Sequence, residues 1–329
     1  MDNLNHFKGK NILITGGLGF IGSSLANKLV KLDANVTIVD NLLDDHGSNF
    51  FNIEAIKKDV SISLSDIRDE HIMGHLVKDK DYIFHMAGQV SHVLSLSNPY
   101  PDIDINIKGT AAVMESLRKY NPYAVLIYGG TRGQYGKSLN PAKESDHATP
   151  KGIHEISHLA AEQIISTYNK VHNIPVVLTR MVNIYGPRAQ MRHNKYGVVN
   201  WFIRLAIENK TIPLFGEGKI VRDFLYIDDC TNALLSLAST PKTYGKLFNI
   251  ASGKPTTFLK LTKKIIKVAG KGKYEFKPFT FERKSQEPGD FWADITKILN
   301  YCEWYPRMSI TKGLRNTIAY YEQNKKYYF

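Results

Sequence analysis

Cysteine is scarce in this chain, and long apolar runs are missing. Its 329 residues include two cysteines, Cys230 and Cys302, which cannot build a disulfide framework or a four-thiolate metal site. No apolar run approaches the roughly 20 residues that span a bilayer, and the N-terminal residues lack the layout of a signal peptide. We therefore expect no membrane partner and, as the simplest setting, a reducing cytoplasm.

The charge is unbalanced, with a formal net charge of +12. An arginine-rich block and an RNA-binding aromatic motif are both absent, so we expect no nucleic-acid partner. A positive cleft that attracts small phosphorylated ligands would explain the charge. A solvated, lysine-rich surface is the simpler explanation, because acidic residues are interspersed with the basic ones.

Short apolar runs alternate with amphipathic stretches along the first half of the chain. NILIT, VTIVD, YIFHMAG and VLIYGG are typical of buried parallel strands. SSLANKLVKL, IRDEHIMGHLVK and GTAAVMESLRKYN have helical spacing. This alternation predicts an α/β fold, a doubly wound parallel sheet (Rossmann) with helices on both faces. We predict that residues 1–180 form this domain, that 219–250 return to it near LFNIASG, and that 181–218 and 251–329 form a smaller substrate lobe.

The turn after the first predicted strand is rich in glycine. In ITGGLGFIGSS, glycines at 16, 17, 19 and 22 permit a tight turn and a close approach of the backbone to a pyrophosphate. Asp40 ends the second predicted strand, at the distance expected of an acid that binds the adenosine ribose. Its carboxylate would favour NAD over NADP. A structural turn in a flavodoxin-like domain is the alternative.

Further motifs follow in a fixed order: HMAGQVS, DINIKGT, GGTRGQYG, RMVNIYGPR, IVRDFLYIDDC and EPGDFWADITK. With the glycine turn, they resemble the extended short-chain dehydrogenase/reductase family, which includes NAD-dependent nucleotide-sugar epimerases and dehydratases. The resemblance covers nearly the whole chain. It implies that NAD is bound by Gly16, Gly19, Phe20, Ile21, Gly22, Asp40, Asn41, Asp59, Val60, Ala87, Gln89 and Asn106.

The same resemblance implies residues that act on the sugar nucleotide. Thr131 stands in the position of the family's catalytic Ser or Thr, and Arg222 in that of an arginine that clamps the nucleotide diphosphate. Asn183 matches a substrate-diphosphate contact, and Arg188 and Asp290 are further substrate candidates. A homodimer formed through the helix after residue 154 is also implied.

The segment HEISHLAAE departs from the family's Y-G-x-S-K-x-x-x-E motif. His154 occupies the tyrosine position and His158 the lysine position, where the family holds the nicotinamide ribose. Histidines at i and i+4 could also bind zinc with Glu155 as base. A zinc peptidase needs a third ligand, which the following residues do not offer, so we predict no metal site.

Three interpretations of this departure remain. His154 is the acid/base, because imidazole suits proton abstraction at neutral pH without the help of a lysine. Alternatively, Tyr135 or His193 is the base. In the third interpretation catalysis is lost, and the protein only binds NAD and a sugar nucleotide.

The residues after Thr131 narrow the reaction. Dehydratases of the family carry Asp-Glu there, and uronate decarboxylases usually carry Glu at the second position, whereas this chain has Arg132 and Gly133. The favoured reaction is epimerisation by transient hydride transfer at a hexose carbon. A net dehydrogenase or reductase, or a dehydratase, is the alternative within the family.

Overall fold

A computed structural model describes residues 6–44, 46–279, 287 and 289–329. Within these residues, seven strands form one parallel sheet in the order β10-β6-β5-β4-β1-β2-β3. These strands are β1 (Asn11–Thr15), β2 (Asn35–Asp40), β3 (Val60–Leu64), β4 (Tyr82–His85), β5 (Val125–Thr131), β6 (Val176–Met181) and β10 (Lys246–Ile250).

Helices cover both faces of this sheet, and others lie in the second half of the chain. They are α1 (Phe20–Val30), α2 (Glu70–Leu76), α3 (His92–Ser97), α4 (Tyr100–Asp102), α5 (Thr110–Tyr120), α6 (Ile153–His172), α7 (Val198–Ile207), α8 (Ile227–Ala238), α9 (Phe258–Ala269), α10 (Thr296–Tyr301), α11 (Ile310–Gln323) and α12 (Lys325–Tyr328). A π-helical segment, Ile103–Gly109, joins α4 to α5. Short 3₁₀ turns occupy Phe50–Ile56, Arg132–Tyr135, Gly216–Gly218 and Pro241–Thr243.

The apolar strand residues explain why this sheet is buried on both faces. Ile12 and Ile14 of β1 belong to one core cluster, and Leu13, between them, belongs to another. Alternate residues of a strand point to opposite faces, so each face packs its own layer of helices. The predicted doubly wound parallel sheet is confirmed.

Two strands of the large sheet were not predicted from the sequence. VSISL forms β3, which is the edge strand and alternates serine with aliphatic residues, so its apolar signal is weak. VVLTRM forms β6, between β5 and β10, although the regular pattern was expected to end near residue 180. The return of LFNIASG to the main sheet is observed as β10, which pairs with β6.

The smaller sheets gather residues from the second half of the chain. One contains β7 (Asn183–Tyr185), β9 (Val221–Tyr226) and β11 (Pro255–Thr257), and the other pairs β8 (Thr211–Phe215) with β12 (Lys273–Lys277). Within the predicted return 219–250, β9 therefore belongs to a small sheet, whereas β10 joins the large one. The division into two domains stays a prediction.

Candidate active site

A cavity of about 210 Å³ opens at the carboxyl ends of the parallel strands. Gly16 forms one wall in a left-handed conformation, with φ of +66°, and a Cβ there would lie 2.9 Å from the backbone of Ala87. A Cβ on Gly22 would lie 2.2 Å from the carbonyl oxygen of Gly16. Only glycine fits this turn, because backbone already occupies the space of a side chain.

The N-terminus of α1 faces the same cavity. Its N-cap is Gly19, which offers no side-chain cap, and its first turn contains no acidic residue. The free N–H groups and the positive end of the helix dipole are therefore available to an anion such as a pyrophosphate. These features fit a dinucleotide.

Asp40, at the end of β2, also lines the cavity. Its buried carboxylate accepts hydrogen bonds from the backbone N–H of Leu18, the N–H of Leu42 and the hydroxyl of Ser48, the last at 2.7 Å. These bonds fix the acid between the glycine turn and the following loop. A carboxylate in this position is suited to binding ribose hydroxyls.

Eight of the predicted cofactor residues line this cavity. They are Gly16, Gly19, Phe20, Ile21, Gly22, Asp40, Asn41 and Ala87.

Two predicted cofactor contacts, Asp59 and Val60, do not line this cavity. Val60 begins β3 and pairs with Val36, whereas Leu64 pairs with Asp40 at the cavity end. With a rise of about 3.3 Å per residue, four residues place Asp59 and Val60 at the opposite edge of the sheet. Ser65 and Ile67 line the cavity instead. The sequence SDIRD after β3 was the signal that the analysis missed.

Gln89 and Asn106 lie behind the cavity wall and connect it to α6. The Asn106 carbonyl oxygen accepts from the backbone N–H of Gln89 at 2.8 Å, and its amide donates to the hydroxyl of Ser157 at 2.9 Å. The side chain of Asn106 is thereby committed to protein contacts. Its position supports the loop between β4 and α3 that lines the cavity.

His46 was not predicted from the sequence, yet it lines the cavity beside Asp40. Its Nδ1 contacts the carbonyl oxygen of Asp44, and its buried Nε2 has no hydrogen-bond partner in the structure. A buried polar atom without a partner is costly, so a polar ligand group in this cavity would stabilise it. This observation is independent of the glycine turn and again fits a dinucleotide.

His154 lies in the first turn of α6. Only 4% of its surface is exposed, and its Nδ1 lies 3.2 Å from Oδ1 of the fully buried Asp102. Burial lowers the pKa of His154 to about 3, with a further contribution from nearby His92. Burial raises the pKa of Asp102 to about 6. At pH 7 we therefore expect a neutral imidazole beside a carboxylate.

His158 is held in the interior one turn further along α6. Its Nδ1 lies 2.8 Å from the hydroxyl of Tyr128, and a backbone hydrogen bond to Gln89 counteracts part of the pKa shift that burial causes. Burial and the neighbouring His154 lower the pKa of His158 to about 3. A neutral ring with these contacts cannot replace the lysine cation, so the geometry does not support the predicted ribose contact.

A second histidine–carboxylate pair lies nearer the surface. His92 Nδ1 is 2.5 Å from Oε1 of Glu155, and the ring of His92 packs edge-on against that of His154. Although burial acts to raise it, the contact with His92 lowers the pKa of Glu155 to about 2. Glu155 also fills the space beside Gly133, where a Cβ would lie 2.6 Å from its Cγ.

Thr131 ends β5 and caps the turn that follows it. Its hydroxyl oxygen accepts from the N–H of Gly133 at 3.2 Å, and its own N–H donates to Gln134. The hydroxyl hydrogen is left to donate elsewhere. The half-buried hydroxyl is therefore available at the carboxyl edge of the sheet, as the resemblance implies.

A cluster of guanidinium groups lies beside Thr131. Arg132 donates from Nε to Asn183 at 3.1 Å, and burial together with the charge of Arg222 lowers the pKa of Arg132 to about 9. Arg222 is buried and bonded to Glu287 and to the carbonyl oxygen of Gly289. The structure thus brings the predicted residues Asn183 and Arg222 together through Arg132, which the sequence analysis did not assign to the substrate.

The last two predicted substrate residues are held by other parts of the protein. Arg188 donates to the carbonyl oxygen of Asn52 at 3.2 Å. Asp290 is exposed and accepts from the N–H of Val221 at 2.8 Å. Neither residue lines the cavity at the glycine turn, and a substrate role for either stays a prediction.

The alternative bases differ in their surroundings. Tyr135 is fully buried, donates to Asn249 at 2.7 Å and lies under the guanidinium of Arg180. Burial raises the pKa of Tyr135 above the usual value of a tyrosine, which disfavours it as the base. His193 packs against Tyr196 in the loop before α7, and its role as a base stays a prediction.

The structure also bears on metal binding and on membrane insertion. Across the described ranges, no group of three or more His, Cys, Asp or Glu side chains is arranged to hold a metal ion. No helix in this part of the chain has both the length and the apolarity for crossing a membrane.

Comparison with known proteins identifies the family. The model of the NAD dependent epimerase/dehydratase family matches residues 12–251. The chain therefore belongs to this family, and the predicted cofactor, NAD, is confirmed as that of the family.

The relatives catalyse more than one reaction. A UDP-N-acetyl-alpha-D-glucosaminuronate decarboxylase of Bacillus cytotoxicus is 30% identical, over 95% of this chain and 98% of its own. A CDP-paratose 2-epimerase of Salmonella typhi is 29% identical, over 92% and 97%. The crystal structure of a UDP-glucose 4-epimerase of Thermotoga maritima with UDP-glucose superimposes with a TM-score of 0.86 at 28% identity, over 96% and 99%.

Proposed function

We propose that this protein is a nucleotide-sugar epimerase that works by reversible hydride transfer at a hexose carbon, with His154 as acid/base. The observation that carries the proposal is the imidazole of His154 in the first turn of α6, with its Nδ1 3.2 Å from the carboxylate of Asp102. NAD, when bound, supplies the hydride acceptor and donor. A net oxidoreductase reaction needs a second substrate to restore the cofactor, whereas epimerisation needs none.

His154 would take the proton of the reacting sugar hydroxyl on Nε2 and later return it. The hydroxyl of Thr131, at the end of β5, can donate a hydrogen bond to the same sugar oxygen. Arg132 and Arg222 place two guanidinium groups near Asn183, and such groups suit the diphosphate of a sugar nucleotide. These roles agree with the order of the sequence motifs.

Elimination of water is disfavoured by the state of the nearby carboxylates. Glu155 fills the space at Gly133, but its low pKa keeps it ionised and bound to His92, so it cannot act as an acid. One relative is a uronate decarboxylase, so a uronate substrate must be included in any assay.

A binding protein without turnover is the second candidate. Two observations favour it: His154 is almost entirely buried, and Arg222 is already paired with Glu287. In this case the chain would hold NAD and a sugar nucleotide without chemistry.

The test is direct. The purified protein is examined for bound NAD and incubated with UDP-, GDP-, CDP- and dTDP-linked hexoses and with UDP-linked uronates, and the products are separated by chromatography. We expect one epimer pair to interconvert, and we expect no conversion by His154→Phe. Absence of conversion in the whole panel, with NAD bound, would refute the epimerase and leave the binding protein.

We also infer a homodimer and a cytoplasmic setting. Val93, Leu96, Tyr100 and Ile156 expose apolar side chains on α3, α4 and α6, and α6 is the helix that the resemblance assigns to the dimer. A Leu96→Lys variant should be monomeric in sedimentation equilibrium, whereas Leu139→Lys, at another exposed position, should not change the mass. Both cysteines are free and buried, in keeping with a reducing compartment.

A further inference from the structure

Asp102 occupies an unusual place for a carboxylate. It is fully buried where α4 passes into the π-helical segment, and it faces α6. The same helical run contacts α6 a second time, through Asn106 and Ser157. These two contacts fix Asp102 relative to the first turn of α6, where the imidazole of His154 lies.

The two carboxylate oxygens of Asp102 have different surroundings. Oδ1 lies 3.2 Å from His154 Nδ1, whereas Oδ2 is buried without any hydrogen-bond partner. An ionised carboxylate only accepts hydrogen bonds, so the hydrogen of a neutral His154 ring must be on Nδ1. A buried carboxylate with one unsatisfied oxygen is costly and calls for a role beyond packing.

We propose that Asp102 is a positioning residue, which accepts the Nδ1–H of His154 and so keeps Nε2 free to accept a proton from the substrate. This inference rests on the proposed function, and it adds to that function the group that orients the base. A carboxylate behind an imidazole selects one tautomer and stabilises the imidazolium that forms during reaction.

The proton and electron balance of the step is simple. The sugar O–H proton moves to Nε2 of His154, while the C–H electron pair leaves the same carbon as hydride to the oxidised nicotinamide, and the carbinol becomes a carbonyl. In the return step, the hydride enters the opposite face of the carbonyl and Nε2 gives back its proton. Asp102 exchanges no proton in either direction.

Several charged or titratable groups surround His154 and determine its protonation. Asp102 approaches from the end of α4, His92 from the start of α3, and His158 and Glu155 from α6 itself. Asp102 is the group among these that is hydrogen-bonded to the ring in the described structure.

The first measurement uses the wild-type protein with NAD bound and needs no substrate. Long-range ¹H–¹⁵N spectra report the tautomer of each of the 11 histidines, and the His154 signal is assigned by its loss in His154→Gln. We expect the Nδ1–H tautomer at pH 7 and its partial or complete loss in Asp102→Asn. A wild-type His154 with the hydrogen on Nε2 would overturn the proposal, whether or not the enzyme turns over.

The second measurement is a double-mutant cycle with the sugar nucleotide that the panel identifies. Asp102→Asn should lower kcat by about 100-fold or more, and KM and NAD content should change little. In the His154→Gln background the same change should have no further effect on kcat. Equal losses in both backgrounds would mean that Asp102 acts on structure alone and would refute its positioning role.

Asp104→Asn is the matched control. Asp104 lies two residues further along the same helical run and pairs with Lys108 at the surface, so its removal should change neither kcat nor the tautomer. If no sugar nucleotide is converted by the wild type, the proposed function fails, and the tautomer still decides whether Asp102 orients His154.

Discussion

The candidate site has a cofactor half, at the glycine turn, and a proposed catalytic half, around His154. The two halves follow different rules. In the cofactor half, backbone geometry determines the residues: Gly16 and Gly22 stand where any side chain would collide with backbone. In the catalytic half, where the resemblance places a Tyr and a Lys, this chain has the buried His154 and His158, each in contact with another buried polar side chain. A binding surface made of backbone tolerates little substitution, whereas a proton-transfer group can be exchanged when its partner changes with it.

The largest expected effect is on turnover in the catalytic half. His154→Gln should lower kcat by about 100- to 10,000-fold, because it removes the proton acceptor. Bound NAD, measured by absorbance after denaturation, should remain unchanged. Loss of NAD together with activity would show that the two halves are not separable. His147→Gln, at an exposed site, serves as the control.

The second effect is on the cofactor half. Gly22→Ala should destabilise the fold by about 1–3 kcal/mol because its Cβ meets the Gly16 carbonyl, and it should abolish NAD retention. Urea unfolding and NAD content measure the two effects. Gly19→Ala should unfold at nearly the wild-type urea concentration, since a Cβ there lies 3.3 Å from that same oxygen. Equal losses of stability in both variants would contradict the steric explanation.

The third effect is a loss of stability in acid. Burial lowers the pKa of His85 to about 4 and those of His154 and His158 to about 3. Below pH 6.5 these histidines therefore bind protons in the unfolded chain but remain neutral in the folded chain. Asp102 acts in the opposite sense, because its pKa is raised to about 6.

For these four groups, the net difference of about two protons near pH 5 predicts a loss of about 3 kcal/mol per pH unit, and the low pKa of Glu155 adds to the loss toward pH 4. Urea unfolding between pH 6 and 4 measures the slope, which His158→Gln should reduce. The same change at the exposed His147 should leave it unchanged. Stability that is constant between pH 6 and 4 would rule out neutral buried histidines.

The smallest effect separates the roles of the two histidines. Tyr128→Phe removes the hydroxyl that bonds His158 and should cost about 1–2 kcal/mol of stability. NAD affinity, measured by calorimetry, should be unchanged, because His158 is a structural residue in this geometry. A tenfold or larger loss of NAD affinity would instead support the ribose contact that the resemblance implied.

Sequence reasoning worked best where a local pattern carries the structure. The strands β1, β2, β4 and β5 and the glycine turn were predictable, because periodicity and steric demands are properties of neighbouring residues. Asp59 and Val60 were predicted as cofactor contacts because the dipeptide DV at the start of β3 resembles the dipeptide DI after its end. Only recognition of the strand VSISL distinguishes the two positions. Asp102 could not be predicted at all, because its partner is 52 residues away and no spacing rule connects them.

The number of residues in the π-helical segment Ile103–Gly109 affects which side chains face α6. Each residue of a helix turns the next by about 100°, so the contacts of Asp102 and Asn106 with α6 depend on the number of residues between them. Deleting one residue there, with no change in composition, would rotate the carboxylate away from the imidazole while Asn106 stayed in place. The orientation of the Asp102 carboxylate toward His154 is thus set partly by the number of residues in this segment.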